Sequence, residues 1–285
     1  MMTWLDSTQT SLSEDLLQYS SRIDSYFVGD GSEQQREDNR SRLEIGVINT
    51  LYEGGVNELR HRVAARIDLP RTQNRLKLEI RGDGEEGING VAEGGDGAEE
   101  KRLSIGLRYQ KLLLEKIKFR VRGGVRASGG GLNPYIRLRG GLSFGVGSGR
   151  LTLSENLFRE HITGSGYSSR VQFTHPVRQG LDFYSTSAVT WFNDEGHFQL
   201  NQDLYLVKAL KKRHLLTAQV GADGLREYQH QRVESYYLRL SYRRPLYREW
   251  LIAEATPEIR FRRESGFSKE HLLLLKLVAI IGGNG

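Results

Sequence analysis

The chain has 285 residues, 41 Lys and Arg against 35 Asp and Glu for a net charge of +6, no Cys, five Pro and 33 Gly. A helical membrane span needs about 20 consecutive apolar residues, and the longest apolar runs are Leu272 to Leu275 and Leu277 to Ile281, so transmembrane helices are excluded. Without Cys there are no disulfides, thiolate metal sites or thiol chemistry.

Residues 1–39 differ from the rest. Ser11 with Glu14 fits a capping box, and Leu12, Leu16, Tyr19, Ile23 and Phe27 come next near helical period, which predicts a short amphipathic helix of about four turns. A polar linker from Gly29 to Asn39 separates it from the remainder of the chain. Such a helix serves as a lumen plug, as a lid under one mouth of the body it precedes, or as a segment packed on a rim or on a partner. The chain shows no secretory leader pattern at its start, so a processed or recombinant mature chain is expected.

From residue 40 to 285 the charges occupy alternate positions of extended segments. Leu76, Leu78 and Ile80 interleave with Lys77, Glu79 and Arg81. Ile117, Phe119 and Val121 interleave with Lys118, Arg120 and Arg122, and Leu238, Leu240 and Tyr242 with Arg239, Ser241 and Arg243. Each is a strand with one apolar and one ionic face. This scattering excludes the clustered basic patch that nucleic acid would need, despite a pI near 9.4. About fourteen strands are predicted, starting near residues 42, 58, 75, 102, 117, 135, 150, 168, 181, 197, 214, 233, 250 and 271, and twelve remain possible because Pro257 lies inside the thirteenth. In residues 151–159, Glu155 and Arg159 share the parity of Leu151, Leu153 and Leu157, so the facing of this strand stays open.

A soluble sandwich alternates too. Compact, mostly basic connections, as at Pro176 to Gln179 and Arg244 to Arg248, alternate with Gly-rich and acidic ones, the longest from Gly82 to Glu100. Tyr109, Phe144, Phe173 and Tyr242 mark one end of the strands, with Tyr247 and Trp250 in the adjoining turn, and Trp191 and Phe198 mark the other, as aromatic girdles would. An open sheet edge is intolerable in lipid, so the sheet is expected to close. The fold class is therefore all-β, a closed antiparallel transmembrane β-barrel preceded by the helix.

With these features residues 40–281 resemble bacterial outer-membrane β-barrels. The stretch Tyr242-Arg243-Arg244-Pro245-Leu246-Tyr247, with Trp250-Leu251 and Thr256-Pro257-Glu258-Ile259-Arg260-Phe261, resembles the C-terminal part of uncharacterised proteobacterial barrel proteins. The resemblance implies a bacterial outer-membrane location and contact with membrane lipid and lipopolysaccharide, while the amphipathic N-terminal helix offers a surface for an envelope protein partner. It brings no activity. The chain departs from the pattern in ending Ile281-Gly282-Gly283-Asn284-Gly285 rather than on an aromatic residue.

Parity assigns to the lumen Arg60, Arg62, Arg66, Lys77, Glu79, Arg81, Arg108, Lys118, Arg120, Arg122, Arg126, Arg137 and Arg139, and from later strands Asp182, Asp203, Asp223, Arg239, Arg243, Glu254, Glu258 and Arg260. The first arc is mainly cationic and the acids come mostly from the second, which suits either a transverse field across an aqueous pore or a salt-bridged, closed interior. None of the seven His sits in a local motif with a Ser, so no catalytic residues and no enzyme are expected. The acidic loop Asp83, Glu85, Glu86, Glu93, Asp96, Glu99 and Glu100 lacks the spacing of a calcium loop and reads as solvated surface, so no metal and no cofactor are expected. The leading functional expectation is a porin-like channel for small solutes or ions. The alternatives are a non-conducting barrel that serves as anchor or partner, and a lipid-directed enzyme.

Overall fold

The structure is a computed structural model that describes residues 2–28, 41–69, 75–82, 103–114, 117–128, 131–162, 164–194, 196–210, 213–227 and 230–282. One helix, α1 (Met2–Val28), precedes β1 (Arg42–Tyr52), β2 (Asn57–Asp68), β3 (Leu76–Gly82), β4 (Ser104–Leu114), β5 (Ile117–Ser128), β6 (Gly131–Val146) and β7 (Gly149–Glu160). They are followed by β8 (Gly164–Arg178), β9 (Leu181–Phe192), β10 (His197–Ala209), β11 (Leu215–Glu227), β12 (His230–Tyr247), β13 (Leu251–Arg262) and β14 (Lys269–Gly282). Every strand pairs antiparallel with its sequence neighbours, and β1 closes on β14 from Arg42 opposite Gly282 to Tyr52 opposite Leu272. The result is a closed fourteen-stranded barrel.

The strand starts lie within four residues of those read from alternation; β6 begins at Gly131 rather than 135, and β8 at Gly164 rather than 168. Glycine at a strand start reads as loop in the sequence, yet ladder pairing to the preceding strand carries it into the sheet. Pro257 does not end β13. The β12–β13 ladder skips from Arg239–Glu258 to Tyr242–Ala255 around it, as a residue without an N–H requires, while Pro257 stays aligned with Leu273 on β14. Pro176 and Pro245 sit at register shifts near strand ends.

The barrel is inside out relative to a soluble protein. Leu59, Leu157 and Leu238 are 58%, 56% and 52% exposed, while Glu79, Asp203 and Glu258 are 4%, 5% and 3% exposed. With one closed sheet there is no second apolar face for the leucines to cover, so hydrocarbon is their matching solvent. Among the described residues no helix is long and apolar enough to cross a membrane. Aromatic pairs gather near both rims: Phe173 with His175, His214 with Tyr242 and Tyr247 with Trp250 at one, Trp191 with Phe198 and Tyr236 with Phe267 at the other. The two rims differ less in connection length than the sequence suggested. Gly147-Ser148 joins β6 to β7 at one rim, but 129–130 and 228–229 are equally short at the other, so the asymmetry rests mainly on 83–103. The acidic-loop residues from Asp83 to Glu100 lie outside the described residues, as does the linker 29–40.

Helix α1 is 27 residues long and starts well before Ser11, which lies inside it rather than capping it. No Gly or Pro interrupts residues 2–28, so nothing local stops the helix upstream of the capping motif. Its contacts follow the rim where the chain closes on itself. The Tyr247 hydroxyl donates to Asp6 at 2.9 Å, the Gly282 N–H to the Ser13 hydroxyl at 3.0 Å, and the Ser20 hydroxyl to the Asp68 carbonyl at 2.9 Å. Ser20, Ser41 and Leu69 are fully buried where the helix meets β1 and β2.

Candidate functional site

Many charged side chains of the strands are buried or half-buried, and strand register decides how they meet. On β3, Glu79 stands opposite Gly106 of β4, which stands opposite Gly124 of β5. Two missing side chains in that row leave room for arginines from the adjoining rows to converge on the carboxylate. Arg81, Arg108 and Arg122 lie 3.2, 3.0 and 3.1 Å from its oxygens. A second cluster forms where Glu160 of β7 takes Arg137 at 2.8 Å and Arg126 at 3.0 Å, and both guanidinium groups lie over the Tyr135 ring at 5.8 and 5.4 Å. Asp68 receives Lys77 at 2.8 Å and lies 3.7 Å from Arg66, while Glu44 holds Arg42 at 3.0 Å and Arg62 at 3.4 Å.

The other arc is built differently. The Asp203 carboxylate accepts the Tyr237 hydroxyl at 2.6 Å and the Gln219 amide at 2.8 Å; the same amide reaches the Tyr205 hydroxyl at 3.2 Å. Gly221 sits between them, and a Cβ there would collide with both the Asp203 carboxylate and the Tyr237 ring. Asp223 accepts Asn201 at 2.9 Å and Ser235 at 2.8 Å. Glu258 is the exception, with Arg239 at 2.5 Å and Arg260 at 2.6 Å. Asn201, Asp203, Tyr205, Gln219, Asp223, Tyr237 and Arg239 border a cavity of about 460 Å³ lined from β8 through β14 and by Ile48 of β1, with Glu254 and Lys276 on one wall and Arg170, Thr186 and Thr190 on another.

Of the charged residues selected from parity, Arg62, Glu79, Arg108, Arg137, Asp203 and Glu258 are buried. Arg60, Arg66, Lys77, Arg81, Arg120, Arg122, Arg126, Arg139, Asp182, Asp223, Arg239, Arg243, Glu254 and Arg260 are half-buried, and Lys118 at its strand end is exposed. The structure does not set a bare cationic wall against an acidic one, because Glu44, Asp68 and Glu160 join Glu79 among the arginines of the first arc. Sequence reading missed those three acids, together with Arg170, Lys276, Tyr205, Tyr237 and Gln219. Glu44 and Asp68 share parity with Arg42 and Arg66, so the signal was present. Glu160 was obscured by the ambiguous strand, which the ladder resolves: Ser154 and Phe158 are buried, while Glu155, Leu157 and Arg159 face outward.

Among the described residues no group of three or more His, Asp or Glu could hold a metal ion. The Ser148 hydroxyl lies 3.3 Å from His175 Nδ1, but the pair is exposed on the turn rim, away from the cavity.

No protein-family model matches the chain, and no curated protein does. Solved structures do. The structure superposes on OprB of Pseudomonas putida at high pH with a TM-score of 0.53, covering 86% of this chain and 94% of that one at 12% identity. The outer membrane channel DcaP of Acinetobacter baumannii gives a TM-score of 0.51 over 85% and 97% of the two chains at 8% identity. The CymD monoaromatic hydrocarbon channel gives 0.52 over 86% and 89% at 7% identity. The fold is that of outer-membrane channel barrels. At such identities the likeness concerns architecture, and solute preference has to come from this chain's own side chains.

Proposed function

We propose that the protein sits in the bacterial outer membrane as a porin-like channel for small polar or ionic solutes. The solute path runs along the β8–β14 side of the interior, and the observation that carries this reading is the cavity of about 460 Å³ beside an arc of packed ion pairs. Hydroxyl and amide groups at Thr186, Thr190 and Gln199 replace part of a solute's hydration as it passes. Asp203 and Asp223, flanked by Arg170 on β8 and Lys276 on β14, impose local fields that orient dipolar or zwitterionic solutes. On the opposite arc arginines outnumber the acids that pair with them, which biases the lumen toward anions. The rim bearing α1 and the compact turns faces the periplasm in this reading, and Leu12 and Tyr19 on the helix, both exposed, form the surface for an envelope partner.

A second reading draws on the Glu79 and Glu160 clusters. If such ion pairs lock the whole interior, the barrel is a non-conducting anchor. Planar-bilayer recording separates the two. The full chain is expected to give discrete conductance steps, and Ala188→Trp, at a cavity-lining position, is expected to shrink them to less than half. Folded, inserted protein that passes no current, with or without residues 1–39, overturns the channel. A tryptophan that leaves conductance unchanged removes the proposed path.

A further inference from the structure

The outward face of a membrane barrel should be apolar at mid-height, and around most of this barrel it is. Val47, Leu107, Leu138 and Leu240 are all exposed there. One sector breaks the rule. On β7 to β10 the outward positions near the middle of each strand are Glu155, Ser169, Ser187 and Gln202. Gly140 of β6 stands directly opposite Glu155, and a Cβ there would meet open space, so the sector is recessed as well as polar. The Ser169 hydroxyl donates to Glu155 at 2.6 Å, the Ser187 hydroxyl donates to the Gln202 side-chain carbonyl, and the Gln202 amide makes only long contacts, 3.4 Å to the Ser185 hydroxyl and 3.3 Å to the Asp203 carbonyl, which a shorter bond to a carboxylate would replace. Leu157, Val171 and Leu204 frame the sector with exposed apolar surface.

Lipid cannot satisfy this surface. A carboxylate with one hydroxyl donor, facing hydrocarbon at mid-depth, is among the costliest arrangements a barrel can carry, and polar groups inside a membrane are stable when they meet other polar groups. Small residues allow close backbone approach between membrane-embedded chains. The sector also has a particular symmetry. Glu155 lies at its left edge on β7 and Gln202 at its right edge on β10, both midway along their strands, with Ser169 and Ser187 between them. A two-fold axis along the membrane normal exchanges left and right while preserving height. It therefore brings the Glu155 acceptor of one copy to the Gln202 amide donor of the other and sets the serines near the axis.

From this we infer that the outward face of β7–β10 is a homodimer interface within the membrane, in which Glu155 of each copy is hydrogen-bonded by Gln202 of the other. The occupant is a second copy of this chain because the patch supplies both the acceptor and the matching donor, each near the middle of its strand.

Since the native chain has no Cys, single cysteines report proximity directly. In membranes, Ser187→Cys is expected to oxidise to a disulfide-linked dimer, while Val47→Cys, exposed at mid-height on the opposite wall, stays monomeric. Equal cross-linking at the two positions, or none at Ser187→Cys, overturns the inference. The native mass of the full chain in mild detergent provides the second readout, with a dimer expected. Gln202→Glu, which sets two carboxylates face to face, weakens association at least about tenfold, and the exchange Glu155→Gln with Gln202→Glu restores it. Wild-type monomers, rings of three or more, or an exchange that fails to restore association each refute the two-fold arrangement.

Discussion

On β1 to β7 the buried carboxylates are ringed by arginines and lysine, whereas on β9 to β12 Asp203 and Asp223 are held by hydroxyls and amides and border open space. The two arcs face the same enclosure, yet they treat charge in opposite ways. A guanidinium cluster cancels the charge it surrounds and fills the volume around it. A tyrosine hydroxyl or a glutamine amide fixes a carboxylate in place and leaves its field intact. The first arrangement makes a wall, and the second makes a surface that a passing solute can sense. Glu258, paired with Arg239 and Arg260, marks where the second arc returns to the first pattern.

If the arginine arc is the structural wall, its centre is where removal costs most. Glu79→Leu leaves Arg81, Arg108 and Arg122 converging without a counter-charge, and breaking a buried ionic group in this way costs about 3–5 kcal/mol. The midpoint of urea unfolding in detergent should fall accordingly. A loss below about 1 kcal/mol would mean that water, rather than Glu79, already solvates those arginines. Asp203→Ala on the other arc strips Tyr237 and Gln219 of an acceptor, for an expected cost of about 1–3 kcal/mol. It should also shift the reversal potential toward anions, an effect Glu79→Leu does not share if the contrast between the arcs is real.

The barrel was largely legible in the sequence because its two determinants are local. Alternation of period two gives each strand and its facing, and the need to satisfy every backbone group in lipid closes the sheet. Cross-strand register is not local. That Glu79 falls in a row with Gly106 and Gly124, and so can gather three arginines, depends on turn lengths that a single sequence does not fix. The same holds for Glu155 and Arg159, which share a parity with leucines and could be placed outward only once Phe158 and Glu160 were seen to face in. Tyr237 and Gln219 carry no motif, and their role arises from Asp203 being within reach across two ladders. The helix start failed for a simpler reason, since a capping motif is only a stop when the chain before it is unable to continue the helix.

Within the cavity arc, Glu254 sharpens the contrast on a smaller scale. It lines the cavity half-exposed, so Glu254→Gln should leave stability within about 0.5 kcal/mol while moving ion preference toward anions. An unchanged reversal potential would place the permeation path elsewhere in the lumen.

The smallest effect belongs to the rim. Asp6 of α1 meets Arg248 at 2.7 Å, with the arginine side chain 66% exposed, and accepts the Tyr247 hydroxyl. An exposed pair of this kind contributes about 0–1 kcal/mol and is screened by salt, so Asp6→Asn should loosen the N-terminal end of α1 without moving the barrel's unfolding midpoint. Hydrogen exchange of the first turns of α1 should rise in the variant, and raising salt should reproduce that rise in the native chain. The Ser20–Ser41–Asp68 contacts are buried and uncharged at their donors, so exchange near Ser20 should stay put in both experiments. If protection is lost there as well, the helix docks as one cooperative unit, and the rim contact at Asp6 governs the whole of it.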